Sequence, residues 1–283
     1  MKGIIRNYPL KRLTTIRVGG NALFFFAPER MEEIFEAINF SEKNSIPIFI
    51  LGGGSNCIFG DGIIERLVIS MKNLREIKTE GNKLIAQAGV KTQEILKECE
   101  DKNLSGLEFI AGVPATVGGM IYMNFGSMGK EICEYLKRVV IIKEREIKTL
   151  ERNELKFSYR KGIQDGIIIE AEFELEMKDK KEIKEAKRRV IFMRKEKQPI
   201  DKKTAGCIFK NPPGNFAGKL IEEAGCKGKR IGDAMVSLKH ANFIENMGNA
   251  KFEDVKNLIE YIKERVYKKF GINLEEEVII IEK

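Results

Sequence analysis

The sequence contains few of the residues that build metal centres and disulfide frameworks. Its 283 residues include a single histidine, His240, and five cysteines without a CxxC pair. An odd number of widely spaced cysteines is not typical of a disulfide framework, and one histidine gives a zinc ion little support. We therefore predict neither structural disulfides nor a metal site.

Long apolar runs are also missing. No stretch approaches the roughly 20 apolar residues that cross a bilayer. The initial MKGIIRNYPLKRL lacks the apolar core and the small-residue cleavage site of a secretory signal. With 43% hydrophobic and 33% charged residues, the composition is that of an ordinary soluble protein. We expect a cytoplasmic protein without membrane insertion.

The net charge of +8 favours anionic partners without choosing among phosphates, dinucleotides and nucleic acid. The densest basic run, residues 178–197, alternates with acids and has helical character, so we interpret it as a solvated linker helix. No basic stripe interleaved with aromatic residues accompanies it. A nucleic-acid partner is therefore not expected.

Strand-like and helix-like patterns alternate along the chain, and strands dominate the first 175 or so residues. The last long helix is the clearest, because apolar residues recur at helical spacing and Gly271 follows as a cap. A lobe boundary is placed near residue 178. The predicted strands are residues 22–27, 46–51, 67–70, 84–88, 139–142 and 167–175, and the predicted helices are 30–39, 92–99, 178–197 and 252–270.

Two glycine-rich segments are candidate ligand loops. LGGGSN (Leu51–Asn56) follows a predicted strand, and its glycines would let backbone N–H groups approach a phosphate. It is not a dinucleotide fingerprint, since Cys57 stands where GxGxxG needs its third glycine. AGVPATVGGMIYMNFGSMG (Ala111–Gly129) has five glycines and suits a flat or phosphorylated ligand. A bare tight turn and a loop-rich connection remain the alternatives.

Three separate motifs carry candidate catalytic groups. Cys207 lies in TAGCIFKNP, Arg160 ends FSYR, and Glu277 lies in LEEEV. An acid-capable thiol, a guanidinium and a carboxylate are what a buried proton-transfer site needs. Taken one at a time, these residues could equally be a small buried residue, a surface cation and an exposed acid.

Taken together, the motifs resemble those of the UDP-N-acetylenolpyruvoylglucosamine reductases, over nearly the whole chain. The matching segments, in the family's order, are TTIRVGG, LGGGSN, the VGG and MNFG elements, FSYR, AGCIFKNP, AGKLIEEAGCKG, HANFIEN and LEEEV. The resemblance implies an α+β fold. A two-lobed FAD-binding module of the vanillyl-alcohol-oxidase/PCMH type would occupy residues 1–178, with lobes of about 1–73 and 74–178. A C-terminal α+β substrate-binding domain would occupy 179–283, and its tail, 272–283, would return to the active site.

The same resemblance implies an NADPH-dependent flavoenzyme of peptidoglycan precursor synthesis. Non-covalent FAD would be reduced by NADPH, and UDP-N-acetylglucosamine enolpyruvate would then receive hydride from the flavin. Cys207 would donate the proton, while Arg160 and Glu277 would stabilise the enol intermediate. The FAD-binding residues would be Gly52, Gly53, Gly54, Ser55, Asn56, Val113, Pro114, Gly118, Gly119 and Gly126. The sugar-nucleotide residues would be Tyr159, Asn211, Lys227 and His240, and a monomer is expected.

The chain departs from the family pattern at three places. Cys207 replaces the more usual serine, and a thiol with a pKa of about 8.5 is a stronger acid than a hydroxyl, so the proton-donor role survives. Met128 replaces a tyrosine, which puts one substrate contact in doubt. The interval of 47 residues between Arg160 and Cys207 is too short for the tyrosine-bearing lid of one family branch.

Two other hypotheses stay open from the sequence. A different oxidoreductase of the same FAD-binding superfamily would share the glycine loops, which indicate flavin rather than a particular reaction. A non-catalytic nucleotide-binding or basic RNA-binding protein would have no flavin and no role for Cys207. Covalent attachment of flavin through histidine is not expected, because residues 1–178 contain no histidine.

Overall fold

The structure is a computed structural model that describes residues 2–282. In this range the chain forms six α-helices and eighteen β-strands. The helices, α1 to α6, are Glu32–Asn44, Thr92–Asp101, Val117–Tyr122, Lys180–Lys197, Ala217–Glu223 and Phe252–Phe270. The strands, β1 to β18, are Ile5–Pro9, Asn21–Phe26, Ile48–Leu51, Cys57–Phe59, Ile63–Ser70, Ile77–Glu80, Lys83–Gln87, Leu104–Ser105, Gly126–Ser127, Lys130–Glu131, Leu136–Lys143, Glu146–Glu151, Ile167–Glu174, Glu176–Met177, Arg230–Ile231, Ala234–Val236, Ile244–Asn246 and Ile279–Ile281.

The chain divides into two compact units, each built from several segments. Unit 1 comprises Met1–Ile4, Phe26–Gly53 and Leu67–Arg194, and unit 2 comprises Ile5–Phe25, Gly54–Arg66 and Lys195–Lys283. This division groups two early segments with the C-terminal residues, whereas the predicted limits cut the chain once near residue 178. Because the units are compact bodies and not functional domains, the limits 1–178 and 179–283 stay a prediction.

Unit 1 is built around an antiparallel sheet of five strands in the order β12-β11-β13-β7-β6. Its central strand, β13, has hydrogen-bonded neighbours on both edges, and most of its residues are buried. A parallel pair, β3 with β5, aligns Ile48 with Leu67 and leads directly into the first glycine loop. The first glycine loop therefore begins where β3 ends, outside the five-stranded sheet.

Helix α4 contains the basic run of residues 178–197, and the interpretation of this run as a solvated linker helix is wrong for one of its faces. Ile183, Val190 and Arg194 on that face are buried. The other faces are exposed and mostly charged, with three exposed apolar residues at 191–193. Lys187, beside the buried face, pairs with Glu100 of α2. The alternation of charges concealed this burial because the buried face contains an arginine and only two apolar residues.

Unit 2 packs helices α5 and α6 beside a small antiparallel sheet in the order β15-β16-β17. The apolar face of α6 is buried in one continuous core, and the helix ends at Gly271, whose φ of +67° gives the left-handed cap. Strand β18 near the C-terminus pairs in parallel with β4, aligning Ile279 with Cys57. The end of the chain is thus joined to the segment that follows the first glycine loop.

The long elements lie close to their predicted positions. Helix α6 has the predicted bounds. Helix α1 continues beyond the predicted 30–39 to residue 44, and the prediction ended too early because the buried residue of its last turns is the polar Ser41. The periodicity did not predict β1, β12 or the short helices α3 and α5. Within residues 2–282, no helix is both long and apolar enough to cross a membrane.

Candidate active site

The two glycine-rich loops touch each other inside unit 1. A Cβ added to Gly52 would lie 2.6 Å from the Thr116 hydroxyl, and one added to Gly53 would lie 2.9 Å from the Pro114 carbonyl oxygen. Both distances are shorter than real Cβ contacts, so only glycine permits this approach. Gly118 packs in the same way on Ala88, at 2.9 Å. Gly52 and Gly53, predicted to bind FAD, therefore pack directly on the second loop, which also contains Val113 and Gly119.

The rest of the first loop belongs to unit 2. Gly54 has a φ of +63° and accepts a hydrogen bond from the peptide N–H of Thr15 at 3.0 Å. Asn56 donates from its side chain to the Glu277 carbonyl at 3.0 Å, and its own carbonyl accepts from the N–H of Ile279 at 2.9 Å. Asn56 thus lies beside the C-terminal tail, which contains a predicted catalytic residue, and Gly54 lies beside Thr15.

The chemistry of these loops fits FAD. Residues 51–56 and 111–119 include no acidic side chain that would repel a pyrophosphate. Glycines carry no side chain, so a phosphate can closely approach the peptide N–H groups of such a loop. In unit 1, the donors that would hold the cofactor are therefore mainly backbone N–H groups.

Arg160 in unit 1 sits in a tight turn. Ser158 and Lys161 exchange two peptide hydrogen bonds, of 2.9 and 3.0 Å, and Arg160 between them has a φ of +57°. This left-handed conformation favours glycine, so a long side chain here costs backbone strain of the kind found at functional sites. The Arg160 guanidinium lies 5.0 Å from the ring centre of Tyr159.

The turn is fixed to the segment that follows α3. Asn124 is fully buried and donates from its side chain to the Ser158 carbonyl at 3.1 Å and to Glu131 at 2.8 Å. A Cβ on Gly126 would lie 3.2 Å from Nη1 of Arg160. Unit 1 therefore brings Gly126, predicted to bind FAD, against the predicted catalytic arginine. Met128 in the same segment is exposed and has a φ of +57°.

Cys207 in unit 2 is the half-buried cysteine of the five, and the other four are buried. Burial raises the pKa of the Cys57 and Cys99 thiols to about 12, so these thiols stay protonated and inert near neutral pH. We call residues 207–210 the Cys207 segment. Its Ile208 carbonyl accepts from the peptide N–H of Glu277 at 2.7 Å. The structure thus brings two of the three predicted catalytic residues together in one unit.

The neighbours of Glu277 in the LEEEV run are held by lysines. Glu275 pairs with Lys210, and Glu276 pairs with Lys263 at 2.9 Å. Phe209 forms a β-bridge with Glu276, and Lys210 donates its peptide N–H to the Glu275 carbonyl at 2.8 Å. The tail and the Cys207 segment therefore pair like two short strands. The three acids, identical in the sequence, differ in their surroundings.

The predicted sugar-nucleotide residues are divided between the units. Tyr159 is in unit 1, while Asn211, Lys227 and His240 are in unit 2. The Asn211 side chain accepts from the Ala217 N–H at 3.0 Å at the start of α5, and Lys227 pairs with Glu222 at 2.8 Å. His240 Nδ1 accepts from the peptide N–H of Asn242 at 3.2 Å. Burial, aided by the charge of Lys227, lowers the pKa of His240 from its ordinary 6.5, so the ring is neutral at pH 7.

Arg194 was not singled out from the sequence, yet it reaches the second glycine-rich segment. It is 7% exposed, donates to the Phe109 carbonyl at 2.9 Å and to the Ser127 hydroxyl at 3.0 Å, and lies 5.9 Å from the Phe125 ring centre. Only its position on the buried face of α4 distinguishes it from the neighbouring surface arginines. No spacing signal in the basic run marks it.

A family model for an FAD binding domain matches residues 22–145, the range that contains both glycine loops. This match defines the chain as a flavoprotein with FAD as its cofactor. The predicted fold class is confirmed.

A second family model, for the C-terminal domain of UDP-N-acetylenolpyruvoylglucosamine reductase, matches residues 198–281. The reductase 2 of that name from Bacillus anthracis is 42% identical over 276 residues, covering 96% of this chain and 90% of that protein. The Aquifex aeolicus reductase is 43% identical, covering 98% and 95%. The crystal structure of the Thermus caldophilus reductase has a TM-score of 0.84 at 35% identity, covering 98% and 97%. The chain belongs to the UDP-N-acetylenolpyruvoylglucosamine reductase family, as its motifs predicted.

Proposed function

We propose that the protein reduces the enolpyruvyl group of UDP-N-acetylglucosamine enolpyruvate with NADPH, giving UDP-N-acetylmuramate. The observation that carries this proposal is the pairing of the Cys207 segment with the tail that bears Glu277, where the Glu277 N–H donates to the Ile208 carbonyl at 2.7 Å. This pairing places a thiol and a carboxylate on adjoining backbone segments of one unit. Reduction of an enol ether beside a carboxylate needs a proton donor and a group that steadies developing charge.

Bound FAD would supply the redox chemistry, taking hydride from NADPH and giving it to the methylene carbon of the substrate. The substrate double bond then breaks, and its electron pair moves to the neighbouring carbon and into the carboxylate. Completing the product requires one proton at that neighbouring carbon. The chain's own residues therefore have two tasks, which are to hold the developing charge and to deliver the proton.

Arg160 would hold the developing negative charge. A guanidinium is always charged and forms two parallel hydrogen bonds with a carboxylate, so it suits the carboxylate of the enol-like intermediate. The turn at Ser158–Lys161 holds the Arg160 backbone in its left-handed conformation, with φ of +57°. Glu277 would complete the set by donating a hydrogen bond from a protonated carboxyl group, because an ionised carboxylate only accepts.

Cys207 would donate the proton. An ordinary thiol with a pKa of about 8.5 is mostly protonated at neutral pH and releases its proton far more readily than a serine hydroxyl. The resulting thiolate would recover a proton from solvent, which the half-buried position of Cys207 allows. Tyr159, Asn211, Lys227 and His240 would bind the sugar nucleotide, with neutral His240 offering a hydrogen bond and no charge. The protein would act as a cytoplasmic monomer.

The test uses the purified holoenzyme under anaerobic conditions. NADPH should bleach the flavin, and UDP-N-acetylglucosamine enolpyruvate should then restore the oxidised spectrum without oxygen. If NADPH reduces the flavin but the sugar nucleotide does not reoxidise it, the proposal is contradicted and another oxidoreductase of the same superfamily is favoured. NADH in place of NADPH is the matched comparison for the reductant.

A further inference from the structure

Asn242, in the HANFIEN motif, contacts the Cys207 segment on the side opposite the tail. Its side-chain oxygen accepts from the Phe209 N–H at 3.0 Å, and its side-chain nitrogen donates to the Phe209 carbonyl at 2.8 Å. Its own peptide carbonyl accepts from the Ile208 N–H at 2.9 Å. Three hydrogen bonds from one residue therefore fix the two positions that follow the cysteine.

The two side-chain bonds require a carboxamide. One face of the Asn242 side chain presents an acceptor and a donor, which match the N–H and the C=O of the same residue, Phe209. An aspartate of the same shape would lose the donor, and an apolar residue would lose both groups. Asn242 is 4% exposed, so water does not readily replace a lost bond.

The Cys207 segment is consequently held from both sides. On one side lies Asn242, and on the other Glu277 and Val278 donate their peptide N–H groups to the Ile208 carbonyl at 2.7 and 3.4 Å. A shift of residues 208 and 209 would move Cys207, which is covalently joined to Ile208. It would also strain the hydrogen bond between the Ile208 carbonyl and the Glu277 N–H, and so change the position of Cys207 relative to Glu277. Proton transfer is sensitive to such a shift, since a misplacement of about 1 Å can cost on the order of 10²-fold in rate.

We propose that Asn242 is a positioning residue for the proton-transfer step: its carboxamide fixes the segment that carries Cys207 and pairs with the Glu277 tail. The inference rests on the proposed function, because it assigns Asn242 to the protonation half of that reaction. Asn242 itself does not touch the reacting atoms. It acts through the backbone of Ile208 and Phe209.

Asn246 of the same motif provides a matched control. It is also buried, at 6% exposure, and its side chain is also fully used. It donates to the Ile16 carbonyl at 2.9 Å and accepts from the N–H groups of Gly248 and Ala250 at 3.0 Å each. It therefore has the same residue type and burial as Asn242, without a bond to the Cys207 segment.

The experiment compares Asn242→Asp with Asn246→Asp in FAD-loaded protein by anaerobic stopped-flow spectroscopy. For Asn242→Asp we expect flavin reduction by NADPH at the wild-type rate and reoxidation by the sugar nucleotide slowed about 10²-fold, with a larger solvent isotope effect on reoxidation. Asn246→Asp should lower the thermal midpoint to a similar extent and leave the ratio of the two half-reaction rates unchanged. In the background of Cys207→Ala, Asn242→Asp should cause no further loss, because the proton donor that it positions is gone.

Equal slowing of both half-reactions by Asn242→Asp, or additive losses in the double variant, would overturn the inference. If the aspartate variant does not fold, Asn242→Ser serves instead, and the same ratio and isotope effect decide. If wild-type reduced flavin is not reoxidised by the sugar nucleotide, the proposed function fails and the inference falls with it. A different outcome would overturn the inference alone. In that outcome, the wild type turns over with the sugar nucleotide, and both asparagine variants keep the wild-type ratio of the two half-reaction rates.

Discussion

The turn that carries Arg160 in unit 1 and the segment that carries Cys207 in unit 2 are built in different ways. Arg160 has a left-handed backbone, with φ of +57°, in a turn closed by hydrogen bonds between its neighbours. In the Cys207 segment, residues 208 and 209 make hydrogen bonds both to Asn242 and to the C-terminal tail. One group is held by a strained local turn and the other by pairings distant in sequence.

The difference indicates where each group is vulnerable. A strained turn stores free energy that a better-suited residue would release, so changing Arg160 can raise stability while removing function. A paired segment stores no such strain, so changes there act through lost contacts or lost chemistry. Changes to Cys207 and Glu277 in unit 2 should therefore slow one half-reaction without the other. Their effect on the free energy of unfolding should be small.

The largest expected effect follows the removal of the proton donor. Cys207→Ala should leave flavin reduction by NADPH intact and slow reoxidation by the sugar nucleotide by about 10²- to 10⁴-fold, the usual contribution of a general acid. Cys207→Ser should keep measurable turnover because a hydroxyl can still donate. Single-turnover absorbance measurements separate the two steps. Cys226→Ala, at a buried cysteine of the same unit, is the control, and equal losses in both half-reactions would remove Cys207 from the acid role.

The next effect tests the three acids of the tail. Glu277→Gln should slow reoxidation by about 10²- to 10³-fold, as when one group that stabilises transition-state charge is lost. Glu275→Gln and Glu276→Gln alter acids whose carboxylates pair with Lys210 and Lys263, and these variants should turn over within a few-fold of wild type. The same stopped-flow assay measures all three. If Glu277→Gln changes only the retention of flavin, the catalytic assignment of Glu277 is wrong.

A smaller effect, on stability, tests the strained turn. Arg160→Gly should raise the free energy of unfolding by about 0.5–1 kcal/mol, because glycine adopts positive φ without strain, while reoxidation is lost. Arg145→Gly is the matched control: Arg145 has a φ of +64°, and its ion pair with Glu42 is exposed and contributes little. Urea unfolding of both variants measures the gain. A gain for Arg145→Gly with a loss for Arg160→Gly would mean that the Arg160 side chain stabilises the fold more than the strain costs.

The smallest effect concerns His240. Because burial and Lys227 lower its pKa from 6.5, the unfolded chain binds this proton more readily than the folded protein. His240 should therefore reduce stability as pH falls below about 6.5, until its lowered folded pKa is reached, and should have no such effect at higher pH. His240→Gln should make the fall of unfolding free energy between pH 7.5 and 5.5 shallower. Lys227→Gln should do the same in part, and an unchanged slope in both variants would contradict the cause assigned to the shift.

Some features of the fold were predictable from the sequence and others were not. Helix α6 was predicted with its observed bounds because periodic apolar residues and Gly271 act locally. The turn between β11 and β12 was not predicted, because Glu144 and Arg145 both have positive φ without a glycine or asparagine to signal it. The bond between Asn242 and Phe209 joins residues 33 apart, and no local pattern encodes it.

The sequence by itself determined the family, the fold class and the long elements. The family follows from the order of the motifs along the chain, and the elements follow from hydrophobic periodicity and glycine caps, which depend on residues close in sequence. Only the tertiary structure decided which residues share a unit: Glu277 with Cys207, Gly126 with Arg160, and Arg194 with Ser127. The tertiary structure also decided that Asn242 forms hydrogen bonds with the Cys207 segment. These outcomes depend on pairings whose partners are distant in the chain, and their energies come from packing that a linear pattern does not contain.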